Sequence, residues 1–121
     1  DPLVSNMKPF GFLDYNKLQE NAFCVMSDSG TLSEESAMLD FPAVLIRTST
    51  ERPEVLDKGT IVIGGIRSED VCRAIELATA MYENKEKIIE AEDYADDNVS
   101  VKVVKLIQSY THIVNRTVWM K

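Results

Sequence analysis

An α/β fold, a parallel β-sheet flanked by helices, is the class this 121-residue sequence predicts. Three observations lead there. Short, continuously apolar runs at Ala22–Met26, Pro42–Ile46 and Thr60–Gly65 alternate with segments whose apolar residues recur every three or four positions. Runs apolar at successive positions suit strands covered on both faces, as parallel strands are. The connections are short, and strand–helix alternation with short connections builds a parallel sheet. Three or four strands make a thin sheet beside the roughly six of a doubly wound domain. The expectation is therefore one partial, Rossmann-like domain over residues 1–121, with a sheet edge lying outside this chain or covered by another.

Along the chain, "NMKPFGF" is extended, since Pro9 biases Lys8 toward β. Tyr15, Leu18 and Ala22 repeat at helical spacing behind Asp14, a candidate N-cap. "AFCVM" is a strand buried on both faces. Thr31–Leu39 is a helix, with Thr31 and Glu34 spaced for a capping box. "PAVLI" is a second buried strand, "RTSTERPEVLDKG" a polar loop, and "TIVIGG" a third strand closed by Gly64 and Gly65. Ser68 caps the next helix, whose first turn carries Glu69 and Asp70, suited to the positive helix end. Its apolar face is Val71, Ala74, Ile75, Ala78, Met81 and Tyr82. "KEKIIEAEDYADDN" reads as a charged loop with a helical turn. Val99, Val103, Leu106, Ile107, Tyr110, Ile113, Val114 and Val118 then mark one long amphipathic helix over residues 98–119.

Charge narrows the function classes. Asp and Glu outnumber Lys and Arg by 20 to 13, a formal charge of -7, which argues against general binding to nucleic acid or to an anionic membrane. No apolar run approaches the roughly 18 residues of a membrane span. The start, "DPLVSNMKPF", has neither the basic nor the apolar region of a signal peptide, and no initiator Met, so a cytoplasmic protein present as a fragment or processed chain is expected. Cys24 and Cys72 lack metal-ligand spacing and are expected to be buried, reduced thiols. The sequons at Asn98 and Asn115 fall in or beside helix and are read as chance matches.

The chemistry concentrates at "SDSGTLSEES", where a strand runs into a helix. Ligands of open α/β sheets sit beyond the carboxyl ends of the strands, and a helix start offers unpaired N–H groups and partial positive charge. Ser29, Gly30 and Thr31 are small enough for phosphate to approach the backbone; the same residues also suit a plain helix cap. A carboxylate at Glu35 accepts hydrogen bonds from sugar hydroxyls, and phosphate plus ribose describes a nucleotide. Glu34 is assigned to the capping box. "RTSTERPE" follows the second strand at the same edge of the sheet, and its Arg47 and Arg52 either grip phosphate in pairs of hydrogen bonds or form solvated surface ion pairs. A serine nucleophile at Ser29 needs a histidine base, and the one histidine, His112, lies in the middle of the last helix, with nothing to bring it near Ser29.

These segments, Asp28–Thr31, Glu34–Glu35, Asp40–Ala43, Arg47–Glu54 and Gly59–Thr60, resemble in order and spacing the C-terminal domain of the non-hydrolysing UDP-N-acetylglucosamine 2-epimerases over about 50 residues. "KPFGFLDYNKLQENAF" resembles the strand–turn–helix that precedes them in that family, and the tail resembles its long closing helix. The resemblance implies a partial C-terminal domain of a glycosyltransferase-B type fold acting on a UDP-sugar without an added cofactor. By it, Ser29, Gly30 and Thr31 meet the diphosphate, Glu35 holds the ribose hydroxyls, Arg52 grips phosphate and Phe12 lies near the uracil. The full-length protein is implied to be a homodimer, with its catalytic acid, base and histidine outside this chain. Thr31, Thr48 and Asp40-Phe41 depart from the main pattern, and with the tail they resemble a branch forming UDP-N-acetyl-L-fucosamine for capsule or O-antigen. The donor half of a glycosyltransferase of the same architecture and a non-catalytic nucleotide-sugar-binding module are the alternatives; the "TERPE" loop favours the epimerase.

Overall fold

The computed structural model describes residues 1–57, 61–86 and 92–121. Its elements run α1 (Phe12–Glu20), β1 (Val25–Ser27), α2 (Thr31–Leu39), β2 (Ala43–Leu45), α3 (Pro53–Asp57), β3 (Val62–Ile63), α4 (Ser68–Glu83), α5 (Glu92–Ala95) and α6 (Val99–Thr117). The three strands form a parallel sheet in the order β1-β2-β3, with Val25 opposite Ala43 and Val44 opposite Val62. The α/β class with helices on both faces of a parallel sheet is as the sequence predicts.

Side chains of a strand alternate between faces, and β2 shows this directly. Ala43 and Leu45 join Leu32 of α2 and Val55 of α3 in one core cluster, with Phe41 and Ile61. Val44, pointing the other way, packs with Ala74 and Ala78 of α4. Both crossover helices between strands thus cover one face, and α4 the other. All three β2 residues are buried, as a central parallel strand requires. Gly64 brings α4 close: a Cβ there would stand 2.7 Å from Cγ1 of Val44 and 3.2 Å from Cβ of Ala74.

Several local expectations are corrected. Helix α1 opens at Phe12, directly after the non-helical residues 6–11, with Gly11 and not Asp14 at the N-cap and Asp14 inside the first turn. Helix α1 ends at Glu20, so Ala22 lies beyond it. Among the described residues β1 is an outer strand of the sheet, and its Met26 is half exposed rather than buried. Pro53, read as part of a loop, starts α3: proline fits the first helical turn, where its missing N–H has no partner to lose. Arg67, not Ser68, is the N-cap of α4. Cys24 is only half-buried and Cys72 is exposed. Helix α6 is one residue shorter at its start and two at its end than the expected 98–119. Gly59 and Thr60, and the middle of the charged segment before α6, lie outside the described residues.

Helix α2 ends on Asp40, whose left-handed backbone (φ 53°) turns the chain into β2. Asp tolerates this conformation better than most residues. The turn is locked where Ser36 Oγ donates to the Phe41 carbonyl at 2.7 Å, both residues being buried. Among the described residues, no helix is long and apolar enough to cross a membrane.

Candidate functional site

The loops leaving the carboxyl ends of β1 and β2 lie side by side. Ile46 N–H donates to the Ser27 carbonyl at 2.9 Å, extending the ladder to the point where both chains turn away. Beyond it, Ser27 Oγ accepts from the Ser29 N–H at 3.0 Å and shapes the turn into α2. Gly30 is the N-cap of α2. The N–H groups of Leu32 and Ser33 reach back to the Ser29 and Gly30 carbonyls. Those of Gly30 and Thr31 have no acceptor among the described residues. Beside them the hydroxyls of Ser29 and Thr31 share a 2.9 Å hydrogen bond. Two amides and two hydroxyls therefore converge at the positive end of a nine-residue helix.

Because Gly30 and not Thr31 is the N-cap, Glu34 sits one position too late for the predicted capping box, which needs the acid at the third helical residue. Glu34 turns to the neighbouring loop instead: Arg52 Nε donates to its Oε1 at 2.5 Å. Arg52 Nη1 donates to Glu51 Oε1 at 3.1 Å, and Glu51 Oε2 accepts from Arg47 Nη1 at 2.7 Å. The guanidinium of Arg52 lies directly over Gly30. A Cβ on Gly30 would collide with Nη1 and stand 2.9 Å from Cζ, and 2.8 Å from Oε1 of Glu51. The absence of a side chain at position 30 is what lets the arginine close on the helix start.

The hydrogen bond to Glu34 is the main cause that raises the Arg52 pKa above its already high value, so the group stays cationic. The Glu51 carboxyl is held below its ordinary range, first by its own backbone N–H and then by Arg47. Tyr94, on α5, donates to Glu54 Oε1 at 2.9 Å and packs against the α2–α3 side of the core. Burial, followed by that hydrogen bond, pushes its phenol up to about 12.

Glu35 follows Glu34 by one helical step and faces elsewhere. Its Oε2 accepts from Gln19 Nε2 of α1 at 2.6 Å. Tyr15, one turn before Gln19, has its pKa raised by burial and then by the charge of Glu35. Phe12, Tyr15 and Gln19 occupy one stripe of α1 at three- and four-residue steps, with Phe12 at the exposed end. The structure thus groups Ser29, Gly30, Thr31 and Arg52 tightly, and sets Glu35 and the α1 stripe bearing Phe12 on the flank of α2.

His112 is exposed on α6, and Ser29 Oγ pairs with a hydroxyl rather than with a base. Among the described residues no group of three or more His, Cys, Asp or Glu is placed to hold a metal ion. Sequence reasoning passed over Gln19, Glu51 and Tyr94. Gln19 carried a signal: it is a polar residue four positions after Tyr15 and three before Ala22, on a stripe otherwise read as apolar.

Comparison with known proteins gives a consistent result. The profile of the UDP-N-acetylglucosamine 2-epimerase family matches residues 2–108. A solved UDP-N-acetylglucosamine 2-epimerase from Rickettsia bellii superposes with a TM-score of 0.82 at 40% identity, covering 95% of this chain and 32% of that one. A UDP-N-acetylglucosamine 2-epimerase of Methanococcus maripaludis is 36% identical over 74 residues, 61% of this chain and 20% of its own. A protein of Thermotoga maritima described as a "Putative UDP-N-acetylglucosamine 2-epimerase" is 29% identical over 113 residues, 88% of this chain and 30% of its own. The chain spans no more than about a third of the length of these relatives.

Proposed function

The chain belongs to the UDP-N-acetylglucosamine 2-epimerase family, and from that premise we propose that residues 1–121 are the UDP-binding portion of a longer, two-domain enzyme of glycosyltransferase-B type. The amides at Gly30 and Thr31 and the hydroxyls of Ser29 and Thr31 receive the diphosphate. Arg52 supplies the opposing charge, Glu35 accepts hydrogen bonds from the ribose hydroxyls, and Phe12 lies by the uracil. The parent interconverts UDP-N-acetylglucosamine and UDP-N-acetylmannosamine, or carries out the related C2 epimerisation that gives UDP-N-acetyl-L-fucosamine. A proton leaves C2 and the C1–O bond breaks, releasing UDP and a 2-acetamidoglucal. UDP then adds back through C1–O while a proton returns to the opposite face of C2, and no water is consumed. This chain's task is to keep the departing UDP in place, with fixed N–H donors and a guanidinium stabilising the charge that grows on it.

The proton-transferring groups are assigned to the rest of the parent, so this chain alone binds nucleotide and turns nothing over. The departures at Thr31, Thr48 and Asp40-Phe41 favour the related C2 epimerisation that yields UDP-N-acetyl-L-fucosamine. On this reading the parent is a cytoplasmic bacterial homodimer serving surface-polysaccharide synthesis.

One observation carries the proposal: the Arg52 guanidinium covers Gly30 at the helix start. Titration of UDP into this chain is expected to show weak binding that Arg52→Ala abolishes. Unchanged binding in that variant would overturn the assignment. In the parent, solvent hydrogen is expected at C2 of the sugar; transfer of the sugar to an acceptor without such uptake would make the protein a glycosyltransferase instead.

A further inference from the structure

We propose that Gln19 is a positioning residue for nucleotide recognition: its buried amide clamps Glu35, and that clamp is what makes the site favour ribose over 2′-deoxyribose. The proposal rests on the reading that Glu35 meets the ribose hydroxyls.

Gln19 is 3% exposed and is the single buried residue of α1. Burying an amide is unfavourable unless its polar atoms are paired. Here only one is: Nε2 donates to Glu35, while Oε1 is buried with no hydrogen-bond partner among the described residues. An apolar side chain of similar volume fills such a position without leaving an acceptor unmet. Packing of α1 therefore gives no reason for glutamine; the bond to Glu35 does. At 2.6 Å to a carboxylate, that bond is short and charge-assisted. The orientation of the amide is also determined, since a carboxylate only accepts and Nε2 must face it.

The clamp restricts a side chain that would otherwise sample several rotamers. It occupies one lone pair of Glu35 Oε2 and leaves the rest of the carboxylate, including all of Oε1, able to accept from a vicinal diol. Tyr15 stands one helical turn away on the same stripe of α1, near enough for the charge of Glu35 to bear on its phenol. A site arranged to receive a particular hydroxyl rejects the analogue lacking it far better than an apolar pocket does. That rejection depends on the acceptor staying where the hydroxyl arrives.

The test compares UDP with 2′-deoxy-UDP, titrated calorimetrically into this chain and into Gln19→Leu. The unmodified chain is expected to prefer UDP by about tenfold or more. In Gln19→Leu the preference is expected to shrink to about twofold, with a thermal midpoint close to that of the unmodified chain, since the removed unmet acceptor and the lost bond to Glu35 act in opposite directions. Gln19→Met, which follows the shape of glutamine closely, repeats the measurement should leucine disturb the fold. If the variants keep the full preference for UDP, Gln19 does not position Glu35 and the proposal falls while the ribose reading stands. No preference in the unmodified chain refutes the ribose reading itself. No binding of either nucleotide removes the UDP site and the clamp together.

Discussion

Arg52 donates its Nε to Glu34 Oε1 across 2.5 Å, and this bond decides which edge of the guanidinium faces Gly30. With Nε occupied, Nη1 is turned toward the start of α2. Glu34 thus aims the arginine, although the sequence suggested a helix cap. Glu34→Gln is expected to weaken UDP binding by roughly three- to tenfold, because a neutral amide holds a cation less firmly than a carboxylate does. Calorimetric titration checks this, and tighter binding in the variant would show that Glu34 competes for Arg52 rather than directing it.

Glu51 plays the opposite part. Its Oε1 lies over Gly30 and is paired with Arg52, where a phosphate oxygen of a bound nucleotide would be sought. Glu51→Gln is expected to raise UDP affinity by roughly three- to tenfold by removing a competing anion. The pH behaviour has a definite sign. The carboxyl is held below its ordinary value of 4.5, so it stays ionised throughout the neutral range. Apparent UDP affinity should therefore show no step from Glu51 between about pH 5 and 8. Any such step that disappears in Glu51→Gln would contradict this.

Burial, and then the hydrogen bond to Glu54, pushes the Tyr94 phenol from its ordinary value of 10.0 up to about 12 in the folded chain. The folded state thus holds this proton more tightly. Its contribution to stability is complete below pH 10 and is lost as pH rises through the folded value. Tyr94→Phe is expected to lower stability at pH 8 and to flatten the decline between pH 10 and 12. Paired urea melts of the two proteins across that range measure the difference.

Gly64→Ala tests how closely α4 lies on the sheet. A methyl group there meets Val44 at 2.7 Å and Ala74 at 3.2 Å, and both are core residues with little room to retreat. Overpacking of this kind costs about 1–3 kcal/mol. The expected result is a lower thermal midpoint with UDP binding largely kept, since the proposed site lies at the start of α2.

The parallel sheet was legible because β2 is central and buried on both sides, so "PAVLI" has no polar alternation to obscure it. β1 is less covered than its sequence suggests: "AFCVM" is equally apolar, yet Met26 is half exposed, and nothing local shows which apolar run is covered on both faces. The turn at Ser29–Thr31 could be found from its small residues and its place after a strand. The roles of the adjacent glutamates could not. Whether Thr31 or Gly30 caps α2 shifts the helix numbering by one, and that shift sends Glu34 to Arg52, eighteen residues away. Tyr94 and Gln19 act across 40 and 16 residues of sequence, through packing that no short motif records. Pro53 was read as a loop stiffener although proline equally begins a helix.

Every residue of α6 is solvent-exposed, its apolar stripe of Val103, Leu106, Ile107, Tyr110, Ile113 and Val114 included. Side chains left largely in water contribute little hydrophobic stabilisation, and in proteins most helical stability comes from packing an amphipathic face. In this chain, then, α6 draws little of its stability from the α/β core. Amide protons of α6 should lose protection long before those of Val44 and Leu45, and mutations that loosen the core should leave the helix's own fraying untouched.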